Sequence, residues 1–104
     1  MKKIAFLASL ALVSHISLAK DVVIDVRTPK EFADGHIAGA LNIDYSVIAQ
    51  EISKANVAKD DTVILYCRSG NRSGIAMNTL KNMGYTKAVN FGGLDEARKR
   101  LQKP

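Results

Sequence analysis

Two runs of aliphatic and β-branched residues, Asp21–Val26 (DVVIDV) and Thr62–Tyr66 (TVILY), do most to limit the folds open to this chain. Each is a short, mostly apolar stretch, the pattern of a strand covered on both faces. Helical signals stand between and after them. Thr28-Pro29-Lys30-Glu31 carries a capping residue, a proline at the first helical position and a capping-box glutamate, and Gly35 closes that short helix. Ala40–Ile43 reads as a second strand, and Ser46–Ser53 places Val47, Ile48 and Ile52 at helical spacing before a polar loop through Asp61. Ser73–Met83 sets Ile75, Ala76, Thr79, Leu80 and Met83 on one stripe, with Gly84 as its stop. Ala88–Phe91 gives a last strand, Gly92-Gly93 a turn, and Leu94–Gln102 a final helix. Strands separated by helices predict an α/β domain with a small, mostly parallel sheet and helices on both faces. In such sheets ligands collect beyond the carboxyl ends of the strands, which points to the segments after Val26, Tyr66 and Phe91.

The N-terminus is read separately. Lys2 and Lys3, the apolar stretch Ile4–Val13 and the small residues around Ser17-Leu18-Ala19 have the layout of a cleavable export signal over residues 1–19. The apolar stretch is short for a bilayer-spanning helix, so no stable membrane anchor is expected once it is cut. The remaining chain, 20–104, is long enough for one domain, burying roughly 60–65% of its unfolded surface. The expected location is the periplasm. Losing Lys2 and Lys3 reduces the formal charge of +5, and an exported protein meets little nucleic acid, so no nucleic-acid partner is expected. The basic residues Arg98, Lys99, Arg100 and Lys103 suit the negative end of a terminal helix.

There is one cysteine, Cys67. That excludes an internal disulfide, a CxxC pair and a thiolate-rich zinc site. Cys67 leaves the TVILY strand at its carboxyl end and opens the loop Cys67-Arg68-Ser69-Gly70-Asn71-Arg72-Ser73. A tight turn at Gly70 can aim backbone N–H groups at the sulfur, the following helix N-terminus adds positive potential, and Arg68 and Arg72 add full charges. A free thiol has a pKa near 8.5, and a helix terminus alone moves it by about one unit. Reaching the reactive range of roughly 3.5–7.5 needs the loop amides, the arginines, or both. A buried structural thiol fits poorly with neighbours so polar and flexible.

These residues resemble the single-domain rhodaneses, sulfurtransferases of the secreted phage-shock type. The resemblance runs through Asp25-Val26-Arg27, Glu31-Phe32, Gly35-His36-Ile37-Ala38-Gly39-Ala40-Leu41-Asn42-Ile43, Tyr66-Cys67 with its loop, Met83-Gly84-Tyr85 and Gly92-Gly93-Leu94. It implies a rhodanese-like three-layer domain and an enzyme that moves the sulfane sulfur of thiosulfate to cyanide or a thiol through a cysteine persulfide, in ping-pong fashion. Cys67 is then the nucleophile. The backbone of Arg68, Ser69, Gly70, Asn71, Arg72 and Ser73 holds the persulfide, and Arg68 and Arg72 orient the anionic donor. No cofactor and no metal is implied. Phosphatases and arsenate-handling relatives of this fold group carry a loop one residue longer, and the two arginines depart from the Cys-Gly-x-Gly pattern of the mercaptopyruvate branch. The competing readings are a non-catalytic rhodanese module that binds an anion or a partner, and a small cysteine phosphatase or arsenate reductase.

Three other residues invite roles. Asp25 and Arg27, at the end of the first strand, suit an ion pair behind the site, and His36 suits a turn before the second strand. Tyr45 and Tyr85 either line the mouth of the site or pack. Asp21, Asp25, Asp60 and Asp61 lack the His or Cys partners of a metal set.

Overall fold

The computed structural model describes residues 18–102. The export signal expected over residues 1–19 therefore lies almost wholly outside the described residues.

Four strands form one sheet: β1 (Asp21–Asp25), β2 (Leu41–Asn42), β3 (Thr62–Cys67) and β4 (Ala88–Gly93), in the order β2-β1-β3-β4. Every pairing is parallel, so the sheet is wholly rather than mostly parallel. Four helices connect and follow the strands: α1 (Pro29–Ala33), α2 (Ile48–Glu51), α3 (Asn71–Asn82) and α4 (Leu94–Gln102). Single 3-10 turns, Tyr45–Val47 and Ile52–Ala55, flank α2.

The twofold period of the strands divides the buried residues between two layers. Val22, Ile24, Val63, Leu65 and Cys67 join one cluster with Ile48 and Ile52 of the α2 region and Ala76 and Leu80 of α3. Ile64 and Tyr66 are also buried but lie outside that cluster, as does Ala97 of α4. The sheet is thus covered by α2 and α3 on one side and by α4 on the other. The order of strands reverses at β1, with β2 added on one side and β3 and β4 on the other, and the carboxyl ends of β1 and β3 meet at this switch point.

Several expected elements differ in detail. The second strand is only Leu41–Asn42, not Ala40–Ile43. The helix expected over Ser46–Ser53 is one turn of α-helix between two tighter turns, and Val47 is 43% exposed. Helix α3 begins at Asn71, two residues before the expected start at Ser73, because Gly70 at φ +99° reverses the backbone straight into the helix. Its buried face is Ser73, Ala76 and Leu80, while Ile75 is 47% exposed. Met77 takes a place against the core that the stripe had assigned to Ile75. Gly92 and Gly93 belong to β4 rather than to a turn after it. Tyr85 is buried and Tyr45 packs against the same core.

Candidate active site

The site is built at the carboxyl end of β3. A register shift between Leu65 and Cys67 brings Cys67 opposite Gly93 of β4. The loop following Cys67 lies so close to β4 that a Cβ on Gly93 would run into the Arg68 carbonyl oxygen. Only glycine permits that approach.

Cys67 is fully buried, and its sulfur is surrounded by donors. Gly70 N–H points to Sγ at 3.0 Å and Ser73 N–H at 3.4 Å, with the Ser73 hydroxyl at 3.3 Å. Burial pushes the thiol pKa up, but hydrogen bonds from the Ser73 hydroxyl and from the amides of Ser73, Ser69 and Gly70 outweigh it, and the net shift is downward. The loop amides expected from the sequence are therefore in place. The arginines are not among these leading causes.

Both arginines are turned towards Glu31. Arg72 Nη1 and Nη2 meet Glu31 Oε1 and Oε2 at 2.9 and 3.1 Å, a two-pronged pair, and Arg68 Nη1 stands 3.6 Å from Oε2. One carboxylate thus offsets part of the loop's charge, which corrects the picture of two unopposed cations. The two arginines differ: the Arg68 side chain is 78% exposed and loosely held, whereas that of Arg72 is 25% exposed and fully engaged. Ser69 and Asn71 are exposed on the loop rim. Glu31 also completes the capping box of α1, with Thr28 N–H donating to its Oε1 at 3.1 Å and its own N–H donating to Thr28 Oγ1 at 3.2 Å. The sequence showed the local role; the contact with Arg72, forty-one residues along, could not be seen there.

Arg72 and Thr28 hold the Glu31 carboxyl at about 2, down from 4.5. A depressed carboxylate stabilises the fold above its unfolded pKa, and that share is lost as pH falls from about 4.5 towards about 2. Glu31→Gln is expected to cost about 2 kcal/mol at pH 7, after allowing for partial solvent screening. Urea titrations at pH 7 and pH 3 check this: the variant's midpoint should fall less than the wild type's on acidification. Asp61, held at about 2 by Lys20 and by the amides of Lys20 and Ala58, leaves it some acid sensitivity.

Asn90 on β4 is a second residue that sequence reading missed. Its Nδ2 donates to Gly70 O at 2.9 Å, and its Oδ1 accepts from Ser73 Oγ at 2.7 Å and Gly92 N at 2.9 Å. It ties both ends of the loop turn to the sheet. No motif in the sequence marks it.

Asp25 and Arg27 form the expected ion pair, buried behind the site. Arg27 Nη2 reaches Asp25 Oδ2 at 2.7 Å and Gly35 O at 2.6 Å, while Arg27 Nε lies 2.9 Å from Asp25 Oδ1. The pair fixes the segment after α1, and Tyr66 Oη accepts from Ile37 N at 3.1 Å beside it. His36 is held by α1: Nδ1 donates to Phe32 O at 2.7 Å, and the ring stacks on Phe32 with centroids 3.6 Å apart. Neither Asp25 nor His36 is brought to the sulfur.

A cleft of about 640 Å³ opens beside the loop, between α1 and the start of α4. Arg27, Arg68 and Ser69 line it together with the carboxylates of Glu31, Asp34, Asp95 and Glu96. An incoming anion is therefore drawn to the Arg68 side and repelled from the α4 side.

Comparison with known proteins agrees with this geometry. Residues 11–99 match the family model of the rhodanese-like domain. The chain is 41% identical over 91 residues to thiosulfate sulfurtransferase PspE of Escherichia coli, covering 86% of this chain and 88% of that protein. It is 39% identical to a sulfurtransferase of Allochromatium vinosum, covering 69% of this chain and 65% of that one. Among solved structures, a rhodanese with anions from E. coli superposes with a TM-score of 0.70 at 41% identity, over 73% of this chain and 89% of that one. The sheet, the loop and these matches lead to one assignment: the chain belongs to the rhodanese-like domain family.

Proposed function

We propose that the protein is a thiosulfate sulfurtransferase working through a persulfide on Cys67. The observation that carries this reading is a buried sulfur facing two N–H donors and one hydroxyl at a strand's carboxyl end. Such a cradle favours thiolate without a histidine base. The names of the E. coli and A. vinosum relatives support sulfur transfer, and the anions of the solved relative support an anionic donor.

In the first half-reaction the Cys67 thiolate attacks the outer sulfur of thiosulfate. A sulfur–sulfur bond forms, the bond to the sulfonate sulfur breaks, and sulfite leaves with its electron pair. The negative charge then sits on the outer sulfur of the persulfide, within reach of the loop amides. In the second half-reaction cyanide or a thiolate acceptor takes that sulfur and returns Cys67 as thiolate. Arg68, exposed and loosely tied, meets the donor and steadies departing sulfite. Arg72 acts through Glu31, holding the loop against α1.

Turnover tests this. With thiosulfate and cyanide the protein is expected to release sulfite and thiocyanate, and with an aryl phosphate no phosphate. Phosphate release would favour the phosphatase reading. Neither product, from folded protein with reduced Cys67, would leave an anion-binding or partner-binding module.

The export signal and the periplasmic location belong to the same proposal. Lys20 supports a cut after Ala19: its backbone N–H donates to buried Asp61 Oδ1 at 3.1 Å, and its Nζ pairs with Asp61 Oδ2 at 2.8 Å. Cleavage there would create an α-ammonium facing a carboxylate. The intact mass of protein recovered from the periplasm is expected to be that of a chain starting at Lys20. A full-length mass, or recovery only from the cytoplasm, would count against it.

A further inference from the structure

Ser73 has one hydroxyl proton and two acceptors competing for it, Cys67 Sγ at 3.3 Å and Asn90 Oδ1 at 2.7 Å. A thiol satisfies both contacts, since S–H donates to Ser73 Oγ while the hydroxyl donates to Asn90. A thiolate has no proton to offer and needs the hydroxyl for itself. Asn90 cannot swing away to settle the matter, because Nδ2 is held by Gly70 O and Oδ1 also takes the Gly92 amide. That second bond leaves Oδ1 with a partner when the hydroxyl turns to the sulfur. Either position leaves the buried polar atoms of this cluster hydrogen-bonded, so turning the hydroxyl strands none of them.

We infer that Asn90 is a positioning residue for the nucleophile, drawing the Ser73 hydroxyl off the sulfur whenever the sulfur is uncharged. The hydroxyl turns to Sγ in the thiolate and back to Asn90 once Sγ is bonded to a second sulfur and the charge has moved outward. In turnover, which rests on the sulfur-transfer reading, this helps Cys67 both to attack and to leave. The device in the thiol itself stands on geometry alone. Asn90 thereby works against the thiolate in the resting protein, the opposite of what a mere loop anchor would do.

Among the described residues, the charged groups facing this end of the sheet are Arg68 and Arg72 with Glu31, the Asp25–Arg27 pair, Asp34 after α1, Asp44 near Arg72, and Asp95 and Glu96 at the start of α4. β4 contributes no titratable side chain. Replacing Asn90 by alanine alters none of these charges.

The test is the pH dependence of Cys67 alkylation by iodoacetamide in wild type, Asn90→Ala, Ser73→Ala and the double variant. Asn90→Ala is expected to lower the apparent pKa by about one unit, the size of one charge-assisted hydrogen bond. In the Ser73→Ala background the same change should have no effect. A rise or no change in Asn90→Ala, or an equal fall in both backgrounds, overturns the inference. Should Asn90→Ala not fold, the wild type answers: the Asn90 side-chain carbonyl carbon resonance should move with the midpoint of the alkylation profile, and a flat response overturns the inference. None of these readouts uses thiosulfate, so their failure is distinct from a failure of the proposed activity.

Discussion

Cys67→Ser is expected to leave a folded protein that cannot be loaded with sulfur. Intact mass after thiosulfate treatment should show one added sulfur on the wild type and none on the variant. Serine fits the space, and the Gly70 and Ser73 amides can still donate to its oxygen. A hydroxyl, however, is far less acidic than a thiol, and this cradle shifts the thiol further towards thiolate. The loss of turnover should reach at least about a thousandfold, as when other enzymes lose their nucleophile. The result also separates two roles for the loop. If the variant still binds thiosulfate, the loop and Arg68 bind the donor without the nucleophile. An added sulfur on the variant would move the chemistry away from Cys67 and overturn the mechanism.

The second large effect concerns stability rather than chemistry. Asp25→Ala should lower stability by about 3–5 kcal/mol, because it leaves the Arg27 guanidinium buried without its countercharge. Arg27 is only 6% exposed, and Asp25 receives its Nε, its Nη2 and its backbone N–H. Small domains hold about 5–15 kcal/mol in total, so the variant should unfold at much lower urea, with a transition near the edge of native conditions. Replacing both members, as Asp25→Leu with Arg27→Met, should cost clearly less than the single change, since no bare charge remains. If the single and double changes cost the same, the pair is not coupled and the segment from Gly35 to Ile37 is held by other contacts.

What the sequence revealed and what it hid divide along one physical line. Local signals were dependable. The Thr28–Glu31 capping box, the TVILY strand, the sulfur at its end and the Gly70 turn each depend on neighbours within a few residues. Contacts across the sheet were not legible. Glu31 was visible only as a helix cap, although it also grips Arg72 of a distant helix. Asn90 sits in a strand where an asparagine looks like a minor irregularity, and its importance comes from meeting Gly70 and Ser73 across the β3–β4 pairing. Ile75 shows the same limit in reverse: its spacing matched an apolar stripe, but a helix starting at Asn71 turns that position outward. Charge arithmetic failed for a related reason, since two arginines in one loop mean little until their carboxylate partner is located.

The wholly parallel sheet has a consequence in time. No two of its strands can pair through a hairpin, so each pairing waits on a crossover of a dozen or more residues. Most of the chain's ordering entropy is then lost before distant contacts repay it, and refolding should be sluggish for so short a polypeptide. Delay of this kind would suit the proposed export, in which the chain crosses a narrow channel as an open thread before closing around its sulfur.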